Sequence, residues 1–240
     1  MKTSLSQFNE VESKDAFSLQ NSKLLKVELA DVTIQAKLGS MVAYQGDVKF
    51  EHAGSGGMSK MLKKAVTGEG QSLMKMSGKG EVFLADTAQD IHLVYLENDK
   101  ITVNGPNLLA FDSGIDWDIE RIKGGSAMMT GGGLFNTSLQ GTGWVAILSD
   151  GPPILLNVAS APTFADAQAA ITWSSGVTTS IKTDVNLKSL VGRGSGETIQ
   201  MGFSGEGWVL VQPSEGQIKA VGAAAGGGGG GGMLGQVLGG

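Results

Sequence analysis

The sequence predicts an all-β chain built from three repeated units. Three observations carry that prediction: glycine is abundant and proline scarce, 38 against 5 with no Gly-X-Y period; apolar residues alternate with polar ones in short bursts; and one glycine motif recurs at nearly constant spacing.

The recurring motif is Gly-x-Gly followed by a strand-like run. It occupies Ser77 to Leu84 (SGKGEVFL), Gln140 to Ile147 (QGTGWVAI) and Ser204 to Val211 (SGEGWVLV), 63 and 64 residues apart. A second block keeps step with it. Val27 to Tyr44 aligns without gaps with Val94 to Phe111 at an offset of 67 residues, and that block aligns with Leu156 to Trp173 at an offset of 62. Each copy ends on an aromatic, Tyr44, Phe111 or Trp173, followed shortly by Gly46, Gly114 or Gly176. These three aromatics are expected in the core. The organisation that follows is a polar lead at 1–23, β units at 24–86, 87–150 and 151–213, and a flexible glycine-rich tail at 214–240.

Within the units the strand signal has period two, as at Leu93, Tyr95, Ile101 and Val103, at Ile115, Trp117 and Ile119, and at Val82 and Leu84. A unit of this size is marginal alone, so the three are expected to share buried surface.

Gly-x-Gly also opens many phosphate-binding loops. Those loops need Gly-Lys-Ser/Thr or a helix start after the glycines, so that backbone amides and the helix dipole meet the anion. Here a strand-like run follows each time, and the third glycine of a dinucleotide fingerprint is missing. Gly78, Gly80, Gly141, Gly143, Gly205 and Gly207 are therefore read as structural, allowing a tight turn or bulge before a strand.

One segment of the first unit breaks the β pattern. In Met58 to Val66 (MSKMLKKAV) the residues Met58, Met61, Leu62, Ala65 and Val66 fall at helical spacing, with Lys60, Lys63 and Lys64 on the other face. A helix covering the open end of a β unit is expected, and Leu187, Leu190 and Val191 with Lys188 supply its counterpart in the third unit. The alternative use of Lys60, Lys63 and Lys64 is contact with an anionic membrane surface or a protein partner.

In the second unit Asp116, Asp118 and Glu120 alternate along one strand and share a face that could suit a hard cation. Their equivalents in the third unit are Thr178, Ser180 and Lys182, so a solvated strand face is expected. In the tail, the apolar knot Met233, Leu234, Val237 and Leu238 follows a glycine run that cannot order itself.

Function classes are narrowed mostly by exclusion. Eighteen basic against 23 acidic residues give a net charge of −5, a poor field for nucleic acid. No cysteine is present, which removes disulfides, thiol nucleophiles and zinc-thiolate sites. The two histidines, His52 and His92, are too few and too separated for a triad or a three-histidine metal site. No serine stands in a Gly-x-Ser-x-Gly elbow. A non-enzymatic protein with no cofactor, no metal and no catalytic residue is expected. The first twenty residues have no apolar block, and no apolar run reaches eighteen, so a cytoplasmic location is expected, with membrane association as the alternative.

Gly39-Ser40-Met41-Val42-Ala43-Tyr44, continuing Gln45-Gly46-Asp47-Val48-Lys49-Phe50, resembles the family named for Altered Inheritance of Mitochondria, the mitochondrial biogenesis family. The resemblance extends through Gly68-Glu69, the three Gly-x-Gly motifs and Leu108-Leu109-Ala110-Phe111-Asp112, over about residues 20–213. It implies units similar to the domain of the ring-forming tryptophan RNA-binding attenuation protein: short double-stranded β-helix or sandwich units, three per chain, with homotrimers closing a nine-unit ring. It also implies relatives in the mitochondrial inner membrane, whereas this chain shows no evident mitochondrial targeting segment. No catalytic motif is established for the family, so none is carried over. The second unit departs from the others in having Gly131-Gly132-Gly133 where they have Gly68-Glu69 and Gly196-Glu197. A non-enzymatic, oligomeric β scaffold is the expected function, with a membrane-surface or small-ligand binding module, using the basic helix at 58–66 or the ring interior, as the alternative.

Overall fold

A computed structural model describes residues 4–30, 32–52, 73–121, 135–182 and 200–214. Among them the regular structure is β throughout, apart from two short 3-10 turns at Leu5–Phe8 and Gly105–Asn107. The fold class is all-β, as the glycine content and period-two alternation predict. The helix predicted at Met58 to Val66, with Lys60, Lys63 and Lys64, lies outside the described residues, as does the tail beyond Ser214.

Fifteen strands are described. They are β1 (Phe17–Asn21), β2 (Leu24–Glu28), β3 (Ile34–Lys37), β4 (Met41–His52), β5 (Leu73–Leu84), β6 (Asp90–Asn104), β7 (Leu108–Asp112), β8 (Asp116–Arg121) and β9 (Phe135–Ser149), followed by β10 (Ile154–Asn157), β11 (Thr163–Asp166), β12 (Ala170–Ser174), β13 (Val177–Lys182), β14 (Gln200–Gly205) and β15 (Trp208–Val211). All pairings are antiparallel. One sheet of twelve strands runs β1-β2-β5-β3-β7-β9-β6-β12-β15-β10, with β4 on β5 and β8 on β9, and a second has β14 between β11 and β13.

The long strands explain how so few segments reach so many neighbours. The first half of β5 pairs with β3, from Ile34 opposite Met76 to Lys37 opposite Leu73; its second half pairs with β2, from Leu25 opposite Leu84 to Glu28 opposite Glu81. The switch falls at Gly78 and Gly80. In β9 the change of partner, from β8 to β7, falls at Gly141 and Gly143. Near the C-terminus the chain breaks outright between β14 and β15, at Gly205 to Gly207. Four of the six motif glycines thus lie inside continuous strands instead of in a turn ahead of one: they bend a strand that is already under way.

Registers recur along the chain. Met41 opposes Leu84, Leu108 opposes Ile147 and Ala170 opposes Val211, and in all three pairs the register slips by one residue at the next step, giving Ala43 opposite Phe83, Ala110 opposite Ala146 and Thr172 opposite Leu210. A bulge of this kind twists the strand locally and leaves one residue unopposed.

The core lies in three clusters strung along the chain. The first gathers Phe17, Leu25, Val27, Ile34, Val82 and Leu84 with Ile91 and Leu148; the second Ile101, Val103, Phe111, Leu139 and Val145 with Leu73 and Ile171; the third Trp173, Met201, Phe203 and Val209. The first two mix residues from successive sequence blocks, so neighbouring segments bury apolar surface together, which drives their association. Strand β1 falls within the stretch read as a polar lead. Phe17 and Leu19 alternate with Ser18 and Gln20 there, and Phe17 stacks on Trp144 with ring centroids 6.4 Å apart.

Candidate functional site

The expected core aromatics divide. Phe111 and Trp173 are buried, at 0% and 4% exposure, but Tyr44 is 51% exposed. The cause is the sheet order. Strand β7 lies between β9 and β3, and β12 lies between β15 and β6. Among the described residues β4 has β5 alone. Tyr44 has the same place in its strand as Phe111 and Trp173, and among the described residues no strand covers it on the open side; its described ring contact is Phe50, edge-on at 5.3 Å.

Strand β11 likewise has a single partner among the described strands, β14. Its Phe164 is 48% exposed. Phe164 opposes Gly202. By the same register logic Gln35 opposes Lys75 in β3, and Thr102 opposes Ser138 in β6. Those two strands are covered, by β7 and β12 respectively.

In two of the three glycine motifs a side chain takes the backbone amide that follows the second glycine. All six glycines have positive φ, from +112° to +157°. At Gly143 the missing side chain makes room for the residue across from it: the Asp112 carboxylate accepts the Trp144 backbone N–H at 2.6 Å, and a Cβ on Gly143 would stand 2.6 Å from Asp112 Oδ2. Ser174 repeats the arrangement, its Oγ accepting the Trp208 N–H at 3.0 Å beside Gly207. The Trp144 and Trp208 amides are thus held by the protein's own side chains. Burial raises the Asp112 carboxyl above the usual carboxylate range, partly opposed by the hydrogen bond from Trp144.

Sequence reading set the histidines aside, and strand pairing brings one of them to a serine. His92 Nε2 lies 2.7 Å from Ser149 Oγ, and Ser149 is fully buried. The hydroxyl donates to the Gly151 carbonyl at 2.7 Å, so the imidazole N–H donates to the hydroxyl. That direction is the reverse of what a nucleophilic serine needs, which is a ring nitrogen free to take its proton. Nearby Asp90 is engaged by the Ser22 hydroxyl and by Lys23 at 3.2 Å, which lower its pKa. Burial, against the opposing charge of Asp90, lowers the His92 pKa and keeps the ring neutral.

The N-terminal lead is tied down by charge. Lys26, 5% exposed, pairs with Glu81 at 3.0 Å and with Glu10 at 3.5 Å, and the other Glu10 oxygen accepts Gln45 Nε2 at 3.0 Å. Asp116, Asp118 and Glu120 are exposed along β8, with Lys100 at 2.9 Å from Glu120. Among the described residues no group of three or more His, Asp or Glu is placed to hold a metal ion, and no helix is long and apolar enough to cross a membrane.

Comparison with known proteins bears on the fold and the family. No curated protein matches the chain. A crystal structure of protein SPYM3_0169 from Streptococcus pyogenes is similar, with a TM-score of 0.67 and 21% identity over 82% of this chain and 92% of that one, a likeness of fold. The profile of the mitochondrial biogenesis AIM24 family matches residues 17–214, most of the sequence and all of the described strands. The chain belongs to the mitochondrial biogenesis AIM24 family.

Proposed function

We propose that the protein is a non-enzymatic β scaffold whose work is self-assembly, three copies closing a ring, with each chain contributing three β units of one design. The observation that carries this reading is the contrast between covered and open edges. The strand equivalent to β4 is buried twice, at Leu108–Phe111 and at Ala170–Trp173, by a strand from the segment before it, and stands open once, at Val42–Tyr44. Of the positions used at the two internal junctions, β4 and β11 are left without that partner among the described strands; meeting copies of the chain would satisfy both, and closure removes edges that otherwise invite aggregation. The recurring bulges and the threefold recurrence of Gly-x-Gly support the three-unit design. The hydroxyl of Ser149, committed to a backbone carbonyl, supports a role other than hydrolysis.

Native mass spectrometry of the purified chain tests the reading. A species of three times the chain mass that persists on dilution is expected. A monomer at all concentrations would overturn it.

A further inference from the structure

We propose that the open edge of β11 in one copy pairs, antiparallel and in a fixed register, with the open edge of β4 in a second copy, so that Phe164 faces Tyr44, with Ala165 opposite Ala43 and Thr163 opposite Gln45. The proposal rests on the assembly reading above and specifies its contact.

The register follows from two junctions inside the chain. In the first, β3 meets β7 with Ile34 opposite Asp112, Gln35 opposite Phe111 and Ala36 opposite Ala110. In the second, β6 meets β12 with Ile101 opposite Ser174, Thr102 opposite Trp173 and Val103 opposite Thr172. The donor strands are equivalent by their other neighbour: Ile34 faces Met76, Ile101 faces Leu139 and Thr163 faces Phe203. The receiving strands are equivalent in the same way, since Ala110 faces Ala146, Thr172 faces Leu210 and Ala43 faces Phe83. Carrying both equivalences one step further places Thr163 to Ala165 against Gln45 to Ala43.

The side chains fit what this register demands. The residues at the innermost pair of each internal junction, Ala36 with Ala110 and Val103 with Thr172, are fully buried and small or β-branched. Ala165 and Ala43 meet the same size limit. One step along, the internal junctions place an aromatic, Phe111 or Trp173, opposite a polar residue. Between copies that step becomes aromatic against aromatic, and directly opposed aromatics are favourable cross-strand partners. Both rings are about half exposed in the single chain, so each has apolar surface left to bury. The contact joins two different edges, so it propagates head to tail, which permits a ring and forbids a simple two-fold dimer.

The chain has no cysteine, so Ala43→Cys combined with Ala165→Cys introduces the only two thiols. Opposed residues of an antiparallel pair lie within disulfide reach. After mild oxidation, a non-reducing gel is expected to show copies linked up to trimers, while either single variant stays unlinked. Native mass spectra of the wild-type chain, taken alongside, separate the two ideas. An oligomer whose double variant stays unlinked, or dimers from Ala43→Cys alone, would overturn the register and leave assembly standing; a wild-type monomer would overturn both. If the cysteine variants lose their β circular dichroism, a charge exchange replaces them: Tyr44→Arg or Phe164→Glu alone is expected to weaken assembly about tenfold, and the two together to restore it. Failure of the pair to restore it would overturn the register.

Discussion

The Asp112 carboxylate accepts the Trp144 backbone N–H at 2.6 Å across the gap that Gly143 leaves. The pairing explains Gly143 better than backbone freedom alone, because at that point a side chain from the neighbouring strand occupies the volume where a Cβ would be.

Gly143→Ala is therefore expected to destabilise the fold by roughly 1–3 kcal/mol, combining a strained positive φ with displacement of Asp112. Gly114→Ala, where a Cβ would meet nothing within 4 Å, is the control and should stay within about 0.5 kcal/mol of wild type. Thermal melts of the two variants check this, and equal losses would remove the steric account.

Asp112 also makes stability depend on pH. Its folded pKa is raised by burial, so its contribution to stability is fully present below the unfolded pKa and is lost as pH rises through the folded value. At neutral pH the ionised carboxylate is thus a cost. Asp112→Asn, which keeps an oxygen for the Trp144 amide, is expected to melt higher than wild type at pH 7, with the advantage fading below about pH 4. A wild type that gains on the variant as pH rises would contradict this.

How much of this was legible in the sequence depends on whether a feature needs a neighbour. The Gly-x-Gly spacing was visible because glycine marks positions that no side chain tolerates, wherever the partner lies. Tyr44 was misplaced for the opposite reason. Alignment with Phe111 and Trp173 gave its position within the repeat, but burial comes from a strand of the preceding segment, and among the described strands β4 has no such partner. Strand β1 escaped notice because only Phe17 and Leu19 are large and apolar in a short polar stretch. The contact of His92 with Ser149 spans 57 residues and exists only through the pairing of β6 with β9.

His92 titrates in the other direction from Asp112. Its folded pKa is lowered by burial, so its contribution is present above the unfolded value and is lost as pH falls through the folded one. Wild type is expected to lose melting temperature between about pH 6.5 and 5 more steeply than His92→Leu, the residue type that Leu25 supplies at the equivalent position. Ser149 keeps its acceptor, Gly151, in that variant. Parallel pH profiles would exclude His92 as the source.

Phe111 and Tyr44 should separate folding from assembly. Phe111→Ala opens a cavity in the second cluster and is expected to cost about 3–5 kcal/mol of stability. Tyr44→Ala, at an open edge, should leave the melt of a dilute sample nearly unchanged while lowering the average mass seen by light scattering. A large loss from Tyr44→Ala in a sample shown to be monomeric would mean that the exposed ring is already at work within the single chain.

The two internal junctions use the same positions, Ile34 to Ala36 against Ala110 to Asp112 and Ile101 to Val103 against Thr172 to Ser174. A contact between copies at the same positions, as proposed above, would make the assembly modular in length. A gene shortened by one whole repeat, or lengthened by one, would still encode the same pair of terminal edges, so the number of modules in a closed circle would be dictated by the angle at each joint and not by how many modules one polypeptide carries.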